Sequence, residues 1–557
     1  MKRLFMHFAA LGLAAALTLP PVLAAGNEDE MVRVGLAYGD GALISANLEN
    51  NTGYGSGYRL GYFEDDLDFV ELAWTDEDET QITMVKTQNI WVSGTSYSDS
   101  DNGGAVIGCY HVQVERGFDS YQDARAAAMD YQDGFVAWID GEYQVRVGAY
   151  PSAEEAQDAA QDLGGTVVGT SSYGVNVTGT GTTDILFQFD GGDGVSLGVM
   201  PDVTGADSAR AWFKGYRYYG GFRYERINGG NLTVVNIVDM ETYIKGVIPY
   251  EMSNGWPLEA LKVQAVCARS YAYHNIHSSK HNSYHFDVCN TTDCQLYCGA
   301  GTTQADYQAN ERTDQAVEET AGEYAWYNGQ VIEAFYSSSH GGASESVANV
   351  WGSSLEQYPY LCGVSDPYEA DVADQNRYSS WTVSYTSEEL AQRFISRGYE
   401  DAASGIASLT LTYSELGNVI QVQARYHNGE SDNLSPTSIL RAFGVSSIRF
   451  TINGQGASSG TGTSSNSGEL SVNGGSALDE RESYTVVSGT GMQSQLGRDE
   501  LYAISGSGSI DRAEDGASAG SSSETPSGTQ VTVEGSSYTL QGSGNGHQLG
   551  LSQYGAW

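Results

Sequence analysis

The run DMETYIKGVIPYEMSNGWPLEALKVQAVCARSYA, residues 239–272, decides how the chain is read. Pro257 suits the first turn of a helix, because the N–H it lacks is one that a helix start leaves unpaired anyway. From there Leu258, Leu261, Ala265, Ala268 and Ala272 recur on one helical face, small enough to let a neighbouring element approach closely. Glu251 then stands just ahead of a helix N-terminus, where the dipole favours the carboxylate. Its neighbours Tyr250, Met252 and Trp256 are apolar enough to desolvate it, and burial pushes the other way. Whichever wins decides whether Glu251 can carry a proton at neutral pH. Glu259 and Glu241 are weaker candidates, since acids are expected in a first helical turn. Cys267, in mid-helix, reads as an inert thiol rather than a nucleophile served by His274 or His340.

Upstream lies an internal repeat. YHVQV at 110–114 and FDSYQDARAAA at 118–128 return as YQVRV at 143–147 and YPSAEEAQDAA at 150–160. Each copy alternates like a strand, then turns helical behind a capping serine, Ser120 or Ser152. Strands near Phe135–Ile139 and Thr166–Gly169 complete a βαββαβ, ferredoxin-like unit. The repeat resembles the SPOR domain, and the resemblance implies that residues 105–172 bind peptidoglycan glycan strands lacking stem peptides. Tyr and Gln on an open sheet face would suit stacking on sugar rings.

The chain has 557 residues, with 70 acidic against 27 basic side chains and a formal charge of −43. That excludes holding nucleic acid by a basic surface, and it opposes attraction to anionic lipid. With 40% apolar residues the chain can build a sizeable core. Lys2 and Arg3 before the apolar run to Leu19 predict a signal peptide over 1–25, and hence secretion to the cell wall, with an uncleaved N-terminal anchor as the alternative. The expected order is then a β-rich segment of unknown role at 30–100, the 105–172 unit, a larger domain at 182–452, a Gly/Ser-rich excursion at 453–530 and a closing motif at 531–557. The fold class expected is α+β: a β-rich domain with a few helices around a groove, plus the small βαββαβ unit.

The cysteines at 109, 267, 289, 294, 298 and 362 are too sparse for a disulfide scaffold. Cys289 and Cys294, with His281 and His285 upstream, offer soft ligands for a tetrahedral zinc. Disulfides between Cys289 and Cys294, or Cys298 and Cys362, are the competing reading.

The 239–272 run resembles the stage II sporulation protein D (SpoIID/LytB) family, whose signature orders a turn like Gly246-Val247, a Glu-Met pair like Glu251-Met252, a Trp-Pro like Trp256-Pro257 and the helix that follows. FDVCNTTDCQLY at 286–297, YSSSHGG at 336–342, NVWG at 349–352, RAFGVSS at 441–447 and GNGHQLGLSQYGA at 544–556 agree with it. The resemblance implies a lytic transglycosylase acting on peptide-free glycan strands, with Glu251 as general acid and base and no cofactor for the chemistry. It implies a structural zinc on one His and two Cys. It also suggests Arg269, Gln264, Ser338, His547, Ser552 and Gln553 as substrate contacts. A non-catalytic wall-binding protein that assists a cell-wall amidase is the alternative that the LytB name covers. The family pattern usually continues past Ala556 with a further helix and strand, so the sequence is expected either to be truncated after Trp557 or to lack that element.

Overall fold

The computed structural model describes residues 30–205, 208–278, 280–302, 310–456 and 528–557, with four short strands between 483 and 512. The expected leader at 1–25 and most of the 453–530 excursion lie outside the described residues. Among the described residues no helix is long and apolar enough to cross a membrane.

The protein is a strand-rich α+β molecule with two main cores. The first is enclosed by two sheets. A seven-stranded sheet runs in the order Val288–Cys289, Met31–Ala37, Thr233–Asp239, Gly221–Glu225, Leu197–Val203, Gly55–Phe63, Phe69–Trp74. A ten-stranded sheet runs Thr166–Gly169, Tyr110–Phe118, Glu142–Tyr150, Gly134–Ile139, Ile185–Asp190, Val175–Gly179, Gln81–Lys86, Ser45–Asn50, Arg210–Phe213, Tyr216–Tyr219. Buried Val, Leu and Ile from both join one apolar cluster with the helices described below.

The first four strands of the larger sheet are the βαββαβ repeat, antiparallel throughout. Its helices α1 (Tyr121–Ala128) and α2 (Ala153–Leu163) are capped by Ser120 and Ser152, which accept from the N–H groups of Asp123 and Glu155. The unit is not freestanding. Its Gly134–Ile139 strand continues the sheet through parallel pairing with Ile185–Asp190. The Tyr121 hydroxyl donates to the Trp74 carbonyl at 2.9 Å and that of Tyr143 to Leu72 at 2.7 Å. The open face expected from the sequence is closed as well: His111, Gln144, Arg146 and Gln188 are buried and bonded to one another. The 30–100 segment likewise supplies strands to both sheets, while Ile90–Ser93 and Ser96–Ser98 form a separate three-stranded sheet with Ala105–Ile107.

Helix α3 (Met240–Glu251) leaves the Thr233–Asp239 strand, and Asp239 caps it by accepting from Thr242 N–H at 2.9 Å. Gly246 and Val247, expected in a turn, lie inside this helix. The glycine is needed there because a Cβ would stand 2.4 Å from Tyr297 Cε2. Pro249 has no N–H to continue the ladder, so the helix stops two residues later. Helix α4 (Leu258–Ile276) follows with Pro257 at its N-cap, one residue ahead of the first-turn position expected for it, and it is buried on more than its Ala/Leu face, taking Gln264 and Arg269 inside.

The second core is built from Leu390 to Ile452 and Val533 to Leu540. Strand Thr529–Val533 returns beside Ile406–Tyr413, and Ser537–Gly542 lies between Trp381–Thr386 and Phe450–Ile452. From there the chain runs back to the first core, where Leu551–Ser552 pairs parallel to Tyr336–Ser337. That crossing brings the closing motif to Glu251.

Candidate active-site cleft

A cleft of about 360 Å³ opens where these segments meet. Glu251, Tyr336, Ser338, Trp351, His547 and Gln553 are among the residues lining it. Glu251 is the last residue of α3, not a residue waiting at the start of α4. The nearest dipole therefore presents its negative end, which disfavours the carboxylate instead of favouring it. Burial pushes the Glu251 carboxyl above its ordinary range. Three donors oppose the shift: Leu296 N–H at 3.0 Å, Gln553 Nε2 at 3.4 Å and the Tyr336 hydroxyl. The conflict read in the sequence between dipole and burial thus disappears, and what remains is burial against hydrogen bonding.

Behind the carboxyl lies a ladder of amides. Gln553 Nε2 reaches Gln264 Oε1 at 3.4 Å as well as Glu251. The Tyr336 hydroxyl also lies 2.9 Å from Gln295 Oε1, so its one proton serves either that oxygen or Glu251, and Gln295 Nε2 donates to the Ala268 carbonyl at 3.2 Å. Burial pushes the His547 imidazole down to about 4, with the Tyr336 carbonyl partly offsetting it. The ring is therefore neutral at pH 7, and Leu549 N–H donates to its Nδ1 at 3.1 Å, leaving the ring proton on Nε2. Trp351, 42% exposed, stands 5.3 Å from that ring.

Of the substrate contacts expected from the sequence, Ser338, His547 and Gln553 line the cleft. Gln264 is fully buried and acts only through Gln553. Arg269 does not reach the cleft. It is fully buried, grips Glu241 through Nε at 2.8 Å and Nη2 at 2.6 Å, and donates Nη1 to the Glu323 carbonyl at 3.1 Å. A guanidinium so occupied ties α4 to α3 and has no fork left for a ligand. Ser552 also faces inward, donating to Glu369. Cys267 is no nucleophile, since burial pushes its thiol up to about 12, and His274 faces Glu333 at 3.6 Å.

Glu369 was not legible in the sequence. Its buried carboxylate accepts from Ser339 Oγ at 2.5 Å, His340 N–H at 2.5 Å, Gly341 N–H at 2.9 Å and Ser552 Oγ. It so joins the 339–341 loop to the residue preceding Gln553. With five donors on its two oxygens, including Asn376 at 3.4 Å, it is saturated. That argues against a cation here, although His340 and Asp366 lie close by.

A second cluster borders the cleft. Ligand atoms of His281, Cys289, Asp293 and Cys294 lie within 4.8 Å of one another. His281 Nε2 is 3.1 Å from Cys294 Sγ and 3.7 Å from Asp293 Oδ2. Zinc bonds of about 2.0–2.3 Å set tetrahedral ligands somewhat under 4 Å apart, so this donor set fits zinc with small adjustments. The Cys294 thiol donates to Cys289, which pulls Cys289 down to about 5 and pushes Cys294 up. His285 does not belong to the set, because its Nδ1 is bound to Glu225 at 2.6 Å on the far side of a left-handed turn. Asp293 was missed, although it lies beside Cys294 in the same loop. All six cysteines are unpaired.

A family model described as SpoIID, stage II sporulation protein, matches residues 228–327. An uncharacterized protein of Brachyspira hyodysenteriae (strain ATCC 49526 / WA1) is 43% identical over 150 residues, 27% of this chain and 38% of that protein. The amidase enhancer of Bacillus subtilis (strain 168) is 31% identical over 316 residues, 56% of this chain and 37% of that one. The stage II sporulation protein D of the same organism is 26% identical over 187 residues, 32% and 52%. The matched stretches thus span roughly two fifths to a half of these relatives.

Proposed function

We propose that the chain, whose residues 228–327 match the SpoIID family model, is a cell-wall lytic transglycosylase with Glu251 as its general acid and base. The substrate is a peptide-free peptidoglycan strand, cut between N-acetylmuramic acid and N-acetylglucosamine. The observation that carries this reading is Glu251 itself: half-buried, facing a cleft, at a helix C-terminus, its carboxyl raised by burial.

The protonated carboxyl donates to O4 of N-acetylglucosamine as the bond from O4 to the muramic C1 breaks. The carboxylate left behind takes the proton of the muramic 6-hydroxyl as that oxygen bonds to C1, giving a 1,6-anhydro end and restoring the acid. One carboxyl serves both steps, where hydrolysis would employ a pair. The donors from Leu296, Tyr336 and Gln553 support the carboxylate half of the cycle, and Trp351 offers a ring face for a sugar. Peptide-free strands treated with the protein should release 1,6-anhydro products, and Glu251→Gln should release none. A wild type without such products ends the enzymatic reading; an active Glu251→Gln ends the assignment of that residue.

A second reading is favoured by the match to the amidase enhancer: a wall-binding protein that assists a cell-wall amidase without cutting glycan. It expects stimulation of the amidase to survive Glu251→Gln. Either reading locates the protein on the cell wall, outside the membrane.

A structural zinc on His281, Cys289, Cys294 and Asp293 belongs to the proposal. Bound there it supplies a fixed anchor for the 281–294 loop, whose Asp293 and Cys294 form part of the cleft wall. Protein purified without chelator should carry about one zinc per chain by mass spectrometry, and Cys289→Ser should lose it. Metal-free wild type would rule the site out.

A further inference from the structure

We propose that the Tyr327 face of the hairpin at Trp326–Val331 is a second carbohydrate-binding site, which holds the part of a β-1,4-linked, N-acetylated glycan strand that extends beyond the cleft. The hairpin pairs Trp326 with Val331 and Tyr327 with Gln330. Asn328 and Gly329 turn it with φ of 50° and 78°, the tight turn whose twist matches a two-stranded ribbon. Successive strand residues face opposite sides, so Tyr327 and Gln330 share one face and Trp326 the other.

The Tyr327 face is continuous with an aromatic surface. Tyr327, 41% exposed, lies 5.9 Å from Tyr360, and Tyr360 lies 6.2 Å from Tyr358. Glu333 fixes both, donating its N–H to the Tyr360 hydroxyl at 3.2 Å and binding the Tyr358 hydroxyl through its carboxylate. Tyr358 and Tyr360 pack on the same apolar cluster as Phe335, whose ring is 4.8 Å from Trp351 in the cleft. From Val331 to Tyr336, which lines the cleft, is five residues, a reach of at most about 18 Å.

The occupant follows from this chemistry and continuity. The exposed Tyr327 ring and its hydroxyl, beside an exposed amide at Gln330 and the half-buried rings of Tyr360 and Tyr358, provide apolar area with a hydrogen-bonding edge, which suits the faces and rims of sugar rings. A strand threaded through the cleft must leave it somewhere, and this surface begins at the cleft's own aromatic wall. The inference rests on the cleft being a glycan site and does not require that Glu251 cut anything.

The test uses the full chain with Glu251→Gln to prevent turnover. Peptide-free glycan strands, fractionated by length, and a tetrasaccharide fragment are titrated calorimetrically. Tyr327→Ala with Gln330→Ala should weaken long strands about tenfold and leave the tetrasaccharide unchanged. Tyr327→Phe should keep most of the long-strand affinity, and Trp326→Ala, on the opposite face, should change neither. Unchanged long-strand affinity in the double variant overturns the proposal and leaves the surface to protein contact; so does an equal loss on both lengths, or wild type that binds no strand. A length dependence lost in the double variant, together with a wild type that yields no anhydro ends, overturns the activity alone and leaves this site standing.

Discussion

Glu251 is raised by burial and held in check by three donors, and of these the sequence showed only the burial. Tyr250, Met252 and Trp256 announced an apolar setting. The donors come from Leu296, Tyr336 and Gln553, up to 302 positions away, and no local pattern encodes them. The error over the helix dipole had a simple cause: one proline at 257 marked the start of α4, whereas the end of α3 carried no glycine or cap residue to mark it. His340 makes the same point about burial. Its ring is 2% exposed, its Nε2 has no hydrogen-bond partner among the described residues, and burial pushes it down to about 4. Unfolded, the imidazole titrates near 6.5. Between those values the unfolded chain binds a proton that the folded chain refuses, so stability should fall as pH drops from about 6.5 to 4. The loss is on the order of 3 kcal/mol for this residue alone. Urea midpoints measured across that range should decline for the wild type and decline less for His340→Asn; equal slopes would refute the assignment.

At the scale of elements, the cleft depends on junctions more than on helices or strands. The βαββαβ repeat and α4 were legible because period-2 and period-3.6 patterns and capping serines mark them. The fusion of that repeat into a ten-stranded sheet was not, since a strand edge carries no sign of which partner will cover it. Nor was Glu369, one of two acids between Pro367 and Val372, whose partners lie at 339–341, 376 and 552. Glu369→Ala should cost roughly 3 kcal/mol or more, because it strands two backbone N–H groups and two hydroxyls without an acceptor. It should also lower turnover, since Ser552 then loses the contact that holds Gln553 toward Glu251. Thermal unfolding and release of anhydro products, measured together, test this; an unchanged melting temperature would show that water replaces the carboxylate.

For the whole molecule the charge of −43 is not balanced locally. Among the described residues Lys86, Lys245, Lys262, Arg33, Arg125 and Arg269 are engaged with carboxylates of the same chain, and 27 basic side chains cannot offset 70 acidic ones. A glycan exposing lactyl carboxylates meets a repelling surface. Its affinity should therefore rise between low salt and about 0.15 M as repulsion is screened. Binding isotherms at several ionic strengths check this, and a steep loss with salt would mean that recognition is ionic after all. The strand-rich α+β character could be read from the sequence; how its segments share sheets could not, because both sheets draw strands from distant segments.

The bond between Gln553 and Glu251 closes a loop of 302 residues, and Leu551–Ser552 can pair with Tyr336–Ser337 only once both cores exist. Contacts of such sequence separation form late, after local structure has condensed. A chain still leaving its ribosome therefore holds Glu251 without the amide that completes its surroundings. Such a chain is latent, and a wall-cutting activity of the kind proposed would switch on only at the end of folding.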